Sequence, residues 1–236
     1  MKGHKILRDH FNTITYSENH KKLFEQKRDR SKTLLEMFSK ESFNPFIYGS
    51  LARGDVHYDS DIDIVLLQMI APYRIELMLD KNGFNNYFRE IIMATPADTL
   101  KLYIYLNELE SITIPLSKFD KKSREFYDFG GKVNLDQIKN SIRVPGINKR
   151  LALIQPVSDG HEEYSIIGNE YLAAKQLNVS IDLINERKKV LLKREKKGRT
   201  GVFLKRPIEM KGETTELVLK KLANKNSIVR KKLLQR

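Results

Sequence analysis

Cysteine is absent from the 236 residues, which excludes a disulfide framework, a thiolate zinc site and a cysteine nucleophile together. The five histidines show no metal-ligand spacing, so an imidazole zinc site is not expected either. Tryptophan is missing too, which decides nothing. No apolar run approaches the roughly 18–20 residues that cross a bilayer, and the first twenty residues lack the apolar stretch of a secretion signal. The chain is therefore expected in the cytoplasm, with no membrane partner. Hydrophobic residues make up 40% and charged residues 31%, spread along the sequence, which excludes disorder as a whole and sets an expectation of one or two folded domains.

Acidic residues run short only in the last part of the chain. Residues 1–140 carry 21 Lys/Arg against 20 Asp/Glu, and residues 141–236 carry 22 against 10, so the C-terminal part supplies +12 of the net +13. A near-neutral first part joined to a basic second part fits a catalytic or small-molecule domain tethered to something that meets polyanions. A basic surface that is merely solvated is the plainer alternative.

Apolar residues at helical spacing predict an amphipathic helix from Ser17, its N-cap, to about Lys40, with polar gaps at Lys27, Arg28 and Ser31. Strands are expected at Pro45–Tyr48 and Asp61–Leu67, on either side of a short glycine-containing segment. A helix beginning at Pro72 and stopping at Asn82-Gly83 follows, then strand-like pieces at Tyr87–Ala94, Lys101–Leu106 and Ser111–Leu116. The economical arrangement is a small sheet with helices on one side. Gly130-Gly131 is the best linker candidate. Beyond it, helices at Ile166–Leu177 and from Ser180 to about Glu195 precede a glycine-tipped basic hairpin, KKGRTGVFLKRPI, in the order of a winged helix-turn-helix. Ten Lys/Arg against the single acid Glu195 between Arg187 and Arg206 predict one electropositive face shared by the second helix and the hairpin. Lys188, Lys189, Lys193, Arg194, Lys197, Arg199, Lys205 and Arg206 are the candidate phosphate contacts for nucleic acid; docking of a protein is the competing use of such a module. The tail from Glu213 to Arg236 is expected to be helical.

The chemistry is concentrated between Phe46 and Leu67. Asp61 and Asp63 stand two apart on a strand, so their side chains project from one face. Their mutual repulsion is relieved by a cation, and hard oxygen ligands on a rigid strand suit Mg²⁺, which keeps positions for water and substrate phosphates. Upstream, Gly49 lets backbone approach a phosphate, and the Ser50 hydroxyl and following N–H groups can donate to it. Arg53 adds a cation that either reaches phosphate or pairs with Asp55 or Asp59, and Gly54 permits a tight return. His57 lies in the same loop, most simply exposed. A phosphate cradle and a carboxylate pair separated by residues 51–60 would hold the two halves of a metal-bound nucleoside triphosphate.

GSLARG followed by DSDIDIVLL resembles the signature of the nucleotidyltransferase superfamily shared by DNA polymerase beta, CCA-adding enzymes and minimal nucleotidyltransferases. REIIMATP, KLYIYL, ITIPL and REFYDFGG further resemble an archaeal family of predicted nucleotidyltransferases with a C-terminal winged-helix domain. The resemblance implies an α+β fold: a mixed sheet with helices over residues 1–130, a linker at 131–150, and a winged helix-turn-helix with a basic helical tail at 151–236. It also implies ATP or another NTP as donor and two Mg²⁺ ions, with Mn²⁺ as an alternative, and attack of an acceptor hydroxyl on the α-phosphorus with pyrophosphate leaving. Gly49 and Ser50 would hold the β and γ phosphates, and Asp61 and Asp63 the metals. The superfamily draws a third carboxylate from a following strand. Glu90, between Arg89 and Ile91, is the residue expected there, with Glu108 and Glu110 as rivals. RNA is the leading acceptor. A winged-helix DNA-binding regulator with a silent, nucleotide-sensing domain is the main alternative, and a toxin-like enzyme that modifies a partner protein is a third reading.

Overall fold

A computed structural model describes residues 5–8, 11–198, 200–209 and 212–234. Strand β1 (Phe11–Thr15) and helix α1 (Glu18–Lys40) lead into β2 (Pro45–Tyr48), the single-turn α2 (Ser50–Arg53) and β3 (Ile62–Leu66). Next come α3 (Pro72–Lys81), β4 (Phe88–Met93), β5 (Lys101–Tyr105), β6 (Glu110–Pro115) and α4 (Lys121–Gly130). Then β7 (Lys132–Val133), α5 (Leu135–Lys139), β8 (Gly146–Ile147), β9 (Ala152–Val157) and β10 (Gly160–Ser165) precede α6 (Glu170–Leu177) and α7 (Ile181–Lys197). The chain closes with β11 (Leu204–Ile208), α8 (Thr215–Lys225) and α9 (Ser227–Leu234). Among the described residues no helix is long and apolar enough to cross a membrane.

The chain forms two compact units that interleave in sequence: residues 1–32, 47–60 and 124–200 in one, residues 33–46, 61–123 and 201–236 in the other.

In the second unit five strands lie in the order β11-β4-β5-β6-β3, with β3 parallel to β6 and the other neighbours antiparallel. Strict alternation decides its two faces. Ile62, Ile64 and Leu66, then Ile112 and Ile114, Leu102 and Ile104, and Ile91 and Met93 all bury one face. Helices α3 and α8 belong to that side: Glu76 of α3 pairs with Arg89 at 3.0 Å and accepts a hydrogen bond from Thr215 of α8 at 2.7 Å. The opposite face carries Asp63, Ser111, Tyr105 and Phe88 in one line of register.

The first unit holds an antiparallel sheet, β1-β10-β9-β8, and the short antiparallel pair β2 and β7. Its core gathers Leu153 and Ile166 with Ala173, Leu177, Ile184 and Leu191 of the two helices, and Phe129. Two helices form where the sequence predicts them, although α6 begins at Glu170 rather than Ile166; the chain turns at Asn178 in the left-handed region (φ 52) and restarts at Ser180, whose side chain accepts from the Leu183 N–H.

The structure departs from the reading of the sequence at the expected linker and at the expected hairpin. Residues 131–150 contain β7, α5 and β8 where a linker was expected, and Gly130-Gly131 is packed: a Cβ on Gly130 would press into the Tyr48 ring (Oη at 2.5 Å). Among the described residues the expected basic hairpin is not formed. Residues 204–208 instead pair antiparallel with β4, from Leu204↔Met93 to Ile208↔Arg89. The reason is the edge of β4, whose unpaired N–H and C=O groups β11 satisfies; Pro207, which has no N–H, is tolerated because β11 is itself the outer strand.

Candidate functional site

The turn after β2 is built on two glycines. Gly49 sits at φ 89 and ψ −142, and a Cβ there would meet nothing within 4 Å. The requirement is thus conformational rather than steric, since L side chains rarely adopt such angles. Gly49 donates to the Gly131 carbonyl at 2.9 Å, and its own carbonyl accepts from Ala52 and Arg53 N–H groups, starting α2 with Ser50 at its first position. Gly54 closes that turn at φ 106, and here space also matters: a Cβ would lie 2.7 Å from Arg143 Cδ and 3.3 Å from Tyr16 Oη.

Arg53 does not reach outward. It is 5% exposed, its Nε and Nη2 grip Asp55 at 2.9 and 3.0 Å, and Nη1 donates to the Gly130 carbonyl. Of the two roles the sequence left open, the structure shows pairing with Asp55, and the guanidinium fixes the loop instead of presenting itself to phosphate. A residue that sequence reasoning missed does similar work. Arg28 of α1, 7% exposed, donates from Nε to the Leu51 carbonyl (3.0 Å) and from Nη2 to the Ile142 carbonyl (2.9 Å) and, longer, to that of Ala52 (3.4 Å). A cation is thereby set at the C-terminal carbonyls of α2, which have no partner within so short a helix. Burial, then the nearby Arg143 charge, pull the Arg28 pKa down to about 10. The signal was present in the sequence: the polar gaps of the helix are its working positions, for Lys27 donates to the Ser60 carbonyl (2.7 Å) and Ser31 to the Lys27 carbonyl (2.8 Å). His57 is exposed, and its N–H donates to Ser60 Oγ.

A titratable cluster backs this turn. His20 stacks on Tyr16 (centroids 3.8 Å apart) and its Nε2 lies 2.9 Å from the Gly54 carbonyl oxygen. Tyr16 Oη is 2.8 Å from His161 Nδ1, and His161 Nε2 is 3.5 Å from Glu163 Oε1. A neutral His161 protonated on Nε2 satisfies both neighbours, with the Tyr16 hydroxyl donating to Nδ1. Burial and then Asp55 raise the Tyr16 pKa to about 12, which keeps that hydroxyl a donor. Burial lowers the His161 pKa, outweighing the nearby Asp55 and Glu163 charges that raise it. The unfolded chain, with an ordinary histidine near 6.5, therefore takes up the proton first. Stability from this site is full above about pH 6.5 and is lost as pH falls through that value toward the lower folded pKa. Thermal midpoints between pH 7.5 and 5.5 are expected to fall with acidity more steeply in the parent than in His161→Gln.

In the second unit the acids stand at the start of β3: Asp63 lies within the strand and Asp61 immediately precedes its first residue, Ile62. Asp61 is exposed and Asp63 half-buried, and alternation places both on the face opposite Ile62 and Ile64, with Cα atoms about 6.6 Å apart. Asp63 lies in register with Ser111 of β6, whose hydroxyl donates to Asp63 Oδ1 at 2.7 Å. The structure brings neither Glu90 nor its rivals beside them. Glu90 is on β4, three strands from β3, or about 14 Å at ordinary strand spacing. It is 3% exposed, accepts from the Tyr105 hydroxyl (2.8 Å) and pairs with Lys205 (3.2 Å). Burial and that hydrogen bond raise the Tyr105 pKa, so its phenol remains a donor. Glu110 is in register with Ile62 and hence on the opposite face, and Glu108 lies in the exposed turn before β6. No three His, Cys, Asp or Glu side chains among the described residues are grouped to hold a metal ion. Two carboxylates with a hydroxyl beside them still fit Mg²⁺, which commonly takes one or two carboxylates and fills its octahedron with water and phosphate oxygens.

The predicted basic residues divide. On α7, Lys189, Lys193, Arg194 and Lys197 are exposed, whereas Lys188 pairs with Glu170 at 2.6 Å. On β11, Lys205 shares the face of Glu90 and Arg206 the other, where it pairs with Glu213 at 2.9 Å, so alternation along a strand removes the single face expected of them. Arg199 lies outside the described residues.

Residues 17–128 match the family model described as a nucleotidyltransferase domain. The match takes in α1, the glycine turn, the acid-bearing strand and β4 to β6. A search of the curated proteins and a search of the solved structures found no match to the chain.

Proposed function

We propose that this protein is a metal-dependent nucleotidyltransferase that moves a nucleoside monophosphate from an NTP, ATP first among them, to a hydroxyl on a nucleic-acid acceptor, RNA first among these. The observation that carries the reading is the pair Asp61 and Asp63 at the start of β3, two residues apart, within a segment that matches the nucleotidyltransferase domain. Asp61 and Asp63 would hold divalent ions, Mg²⁺ or Mn²⁺, which when bound supply charge stabilisation to the attacking and leaving oxygens of an in-line displacement. Ser111 fixes the Asp63 carboxylate through its hydroxyl. The Gly49-Ser50 turn, separated from Asp61 in sequence by residues 51–60, would take the β and γ phosphate oxygens, its backbone held by Arg28 and Arg53. The exposed Lys189, Lys193, Arg194 and Lys197 of α7 would add salt-sensitive attraction for a polyanion.

A second reading is favoured by one observation, the lack of a third acid beside the pair among the described residues. In it the domain binds NTP and signals without turnover. Incubation with α-labelled NTP and Mg²⁺ over a panel of RNA, DNA, protein and small-molecule acceptors separates the two. Label on an RNA acceptor with pyrophosphate released is the expected result. NTP binding without label on any acceptor would favour the sensor.

A further inference from the structure

The line of register that contains Asp63 continues across the sheet into aromatic rings. Asp63 of β3 pairs with Ser111 of β6, Ser111 with Tyr105 of β5, and Tyr105 with Phe88 of β4. Directly paired residues share a face, so all four project to the side away from α3 and α8. Phe88 and Tyr105 stack with centroids 5.9 Å apart, and Tyr103, two residues earlier on β5, lies 6.3 Å from Tyr105 with its ring within 16° of parallel. The Tyr105 ring is held in place by its hydroxyl bond to Glu90.

A cross-strand aromatic ladder can simply stabilise a sheet. Two features go further here. Phe88 remains 45% exposed, although burying it would be worth more to stability than leaving it in water. The cation at the same edge, Lys205, is also exposed, with 58% of its side chain in solvent. Aromatic rings on a sheet face with a cation alongside are how proteins take unpaired bases, the rings stacking on bases and the cation meeting the backbone phosphates.

We infer that Phe88, Tyr105 and Tyr103 form a stacking platform for single-stranded nucleic acid, with Lys205 beside its backbone. The inference rests on the transfer reading only for what the docked strand is for. At ordinary strand spacing Tyr105 is about 10 Å and Phe88 about 14 Å from β3. A strand whose terminal hydroxyl is at Asp63 would lay the next bases over these rings. The row of three rings suits consecutive bases, whereas a free nucleotide offers one.

The test uses the full chain and a labelled twelve-residue oligouridylate, followed by fluorescence anisotropy at a salt concentration that weakens purely electrostatic contacts. Phe88→Ala is expected to weaken binding about tenfold, the ordinary loss of one stacked base, with the thermal midpoint lowered only by the modest loss of its contact with Tyr105, which melting curves read separately. Tyr105→Phe, which keeps the ring, should bind within twofold of the parent. Because the chain has no tryptophan, Phe88→Trp supplies a unique fluorophore. Its emission should be quenched on titration with the oligonucleotide and not with ATP alone. Oligonucleotide binding that is absent, or equal in the parent and Phe88→Ala, overturns the platform, as does saturation without quenching. Quenching by ATP alone assigns the rings to the donor base and overturns the strand. Quenching by the oligonucleotide in a protein that labels no acceptor leaves the platform standing and removes the transfer reading. Transfer without quenching does the reverse.

Discussion

Asp61→Asn and Asp63→Asn are each expected to lower nucleotidyl transfer by a hundredfold or more while leaving the thermal midpoint at or slightly above that of the parent. Loss of a group one bond removed from a metal already costs about 10- to 100-fold, and these residues are proposed as the ligands themselves. Asparagine keeps the shape and removes the charge, so the sheet has no reason to yield. Two carboxylates on one strand face repel by a few tenths of a kcal/mol up to about 1 kcal/mol in a solvated setting, and removing one relieves that cost. Opposite signs for activity and stability are what separates a functional pair from a structural one. The measurements are initial rates of label incorporation and melting curves on the same preparations. Loss of activity with a matching loss of stability would remove the functional assignment. Ser111, whose hydroxyl donates to Asp63, orients that carboxylate of the pair.

The second large effect concerns Arg89. Its side chain is 8% exposed, pairs with Glu76 at 3.0 Å, and donates from Nη2 to the carbonyls of Glu209 (3.3 Å) and Glu213 (3.1 Å). Arg89→Met should cost about 3–5 kcal/mol, the ordinary cost of leaving one buried charge of a pair uncompensated. Glu76 would retain the Thr215 hydroxyl as a donor and lose its counter-ion. Adding Glu76→Gln to Arg89→Met should recover part of the loss, because two neutral groups of similar size bury more cheaply than one lone carboxylate. Urea midpoints across the four proteins of this cycle measure it. Additive losses would show that Arg89 acts through its backbone contacts alone.

Much of the site was legible because it is local. Asp61 and Asp63 stand two apart on an alternating strand, and the glycines bracket a four-residue helix; both are patterns within a few residues. Helices α3, α6 and α7 were readable from their stops and caps, Asn82-Gly83, Asn178 and Ser180. What failed depends on partners far away in the chain. The pairing of Arg53 with Asp55 was among the options the sequence offered, but the Gly130 carbonyl that completes its burial lies 77 residues on. Glu90 reads as a neighbour of the acids because β4 is the next strand in sequence, yet β5 and β6 intervene in the sheet. The basic segment after α7 reads as a hairpin because a glycine tip and flanking alternation are local signals, whereas the available edge of β4 is not. Arg28 was visible only as an interruption of a pattern, and an interruption does not say what it binds.

The pairing of β11 with β4 joins residues separated by more than a hundred positions, Leu204 with Met93 and Ile208 with Arg89. During synthesis β4 emerges long before β11, so a nascent chain carries that border bare while the intervening residues are made. Contacts of such separation are slow to form, and an uncovered border invites the wrong partner in the meantime. Emergence of residues 204–208, rather than of the acid-bearing strand, thus becomes the moment at which this sheet can be finished.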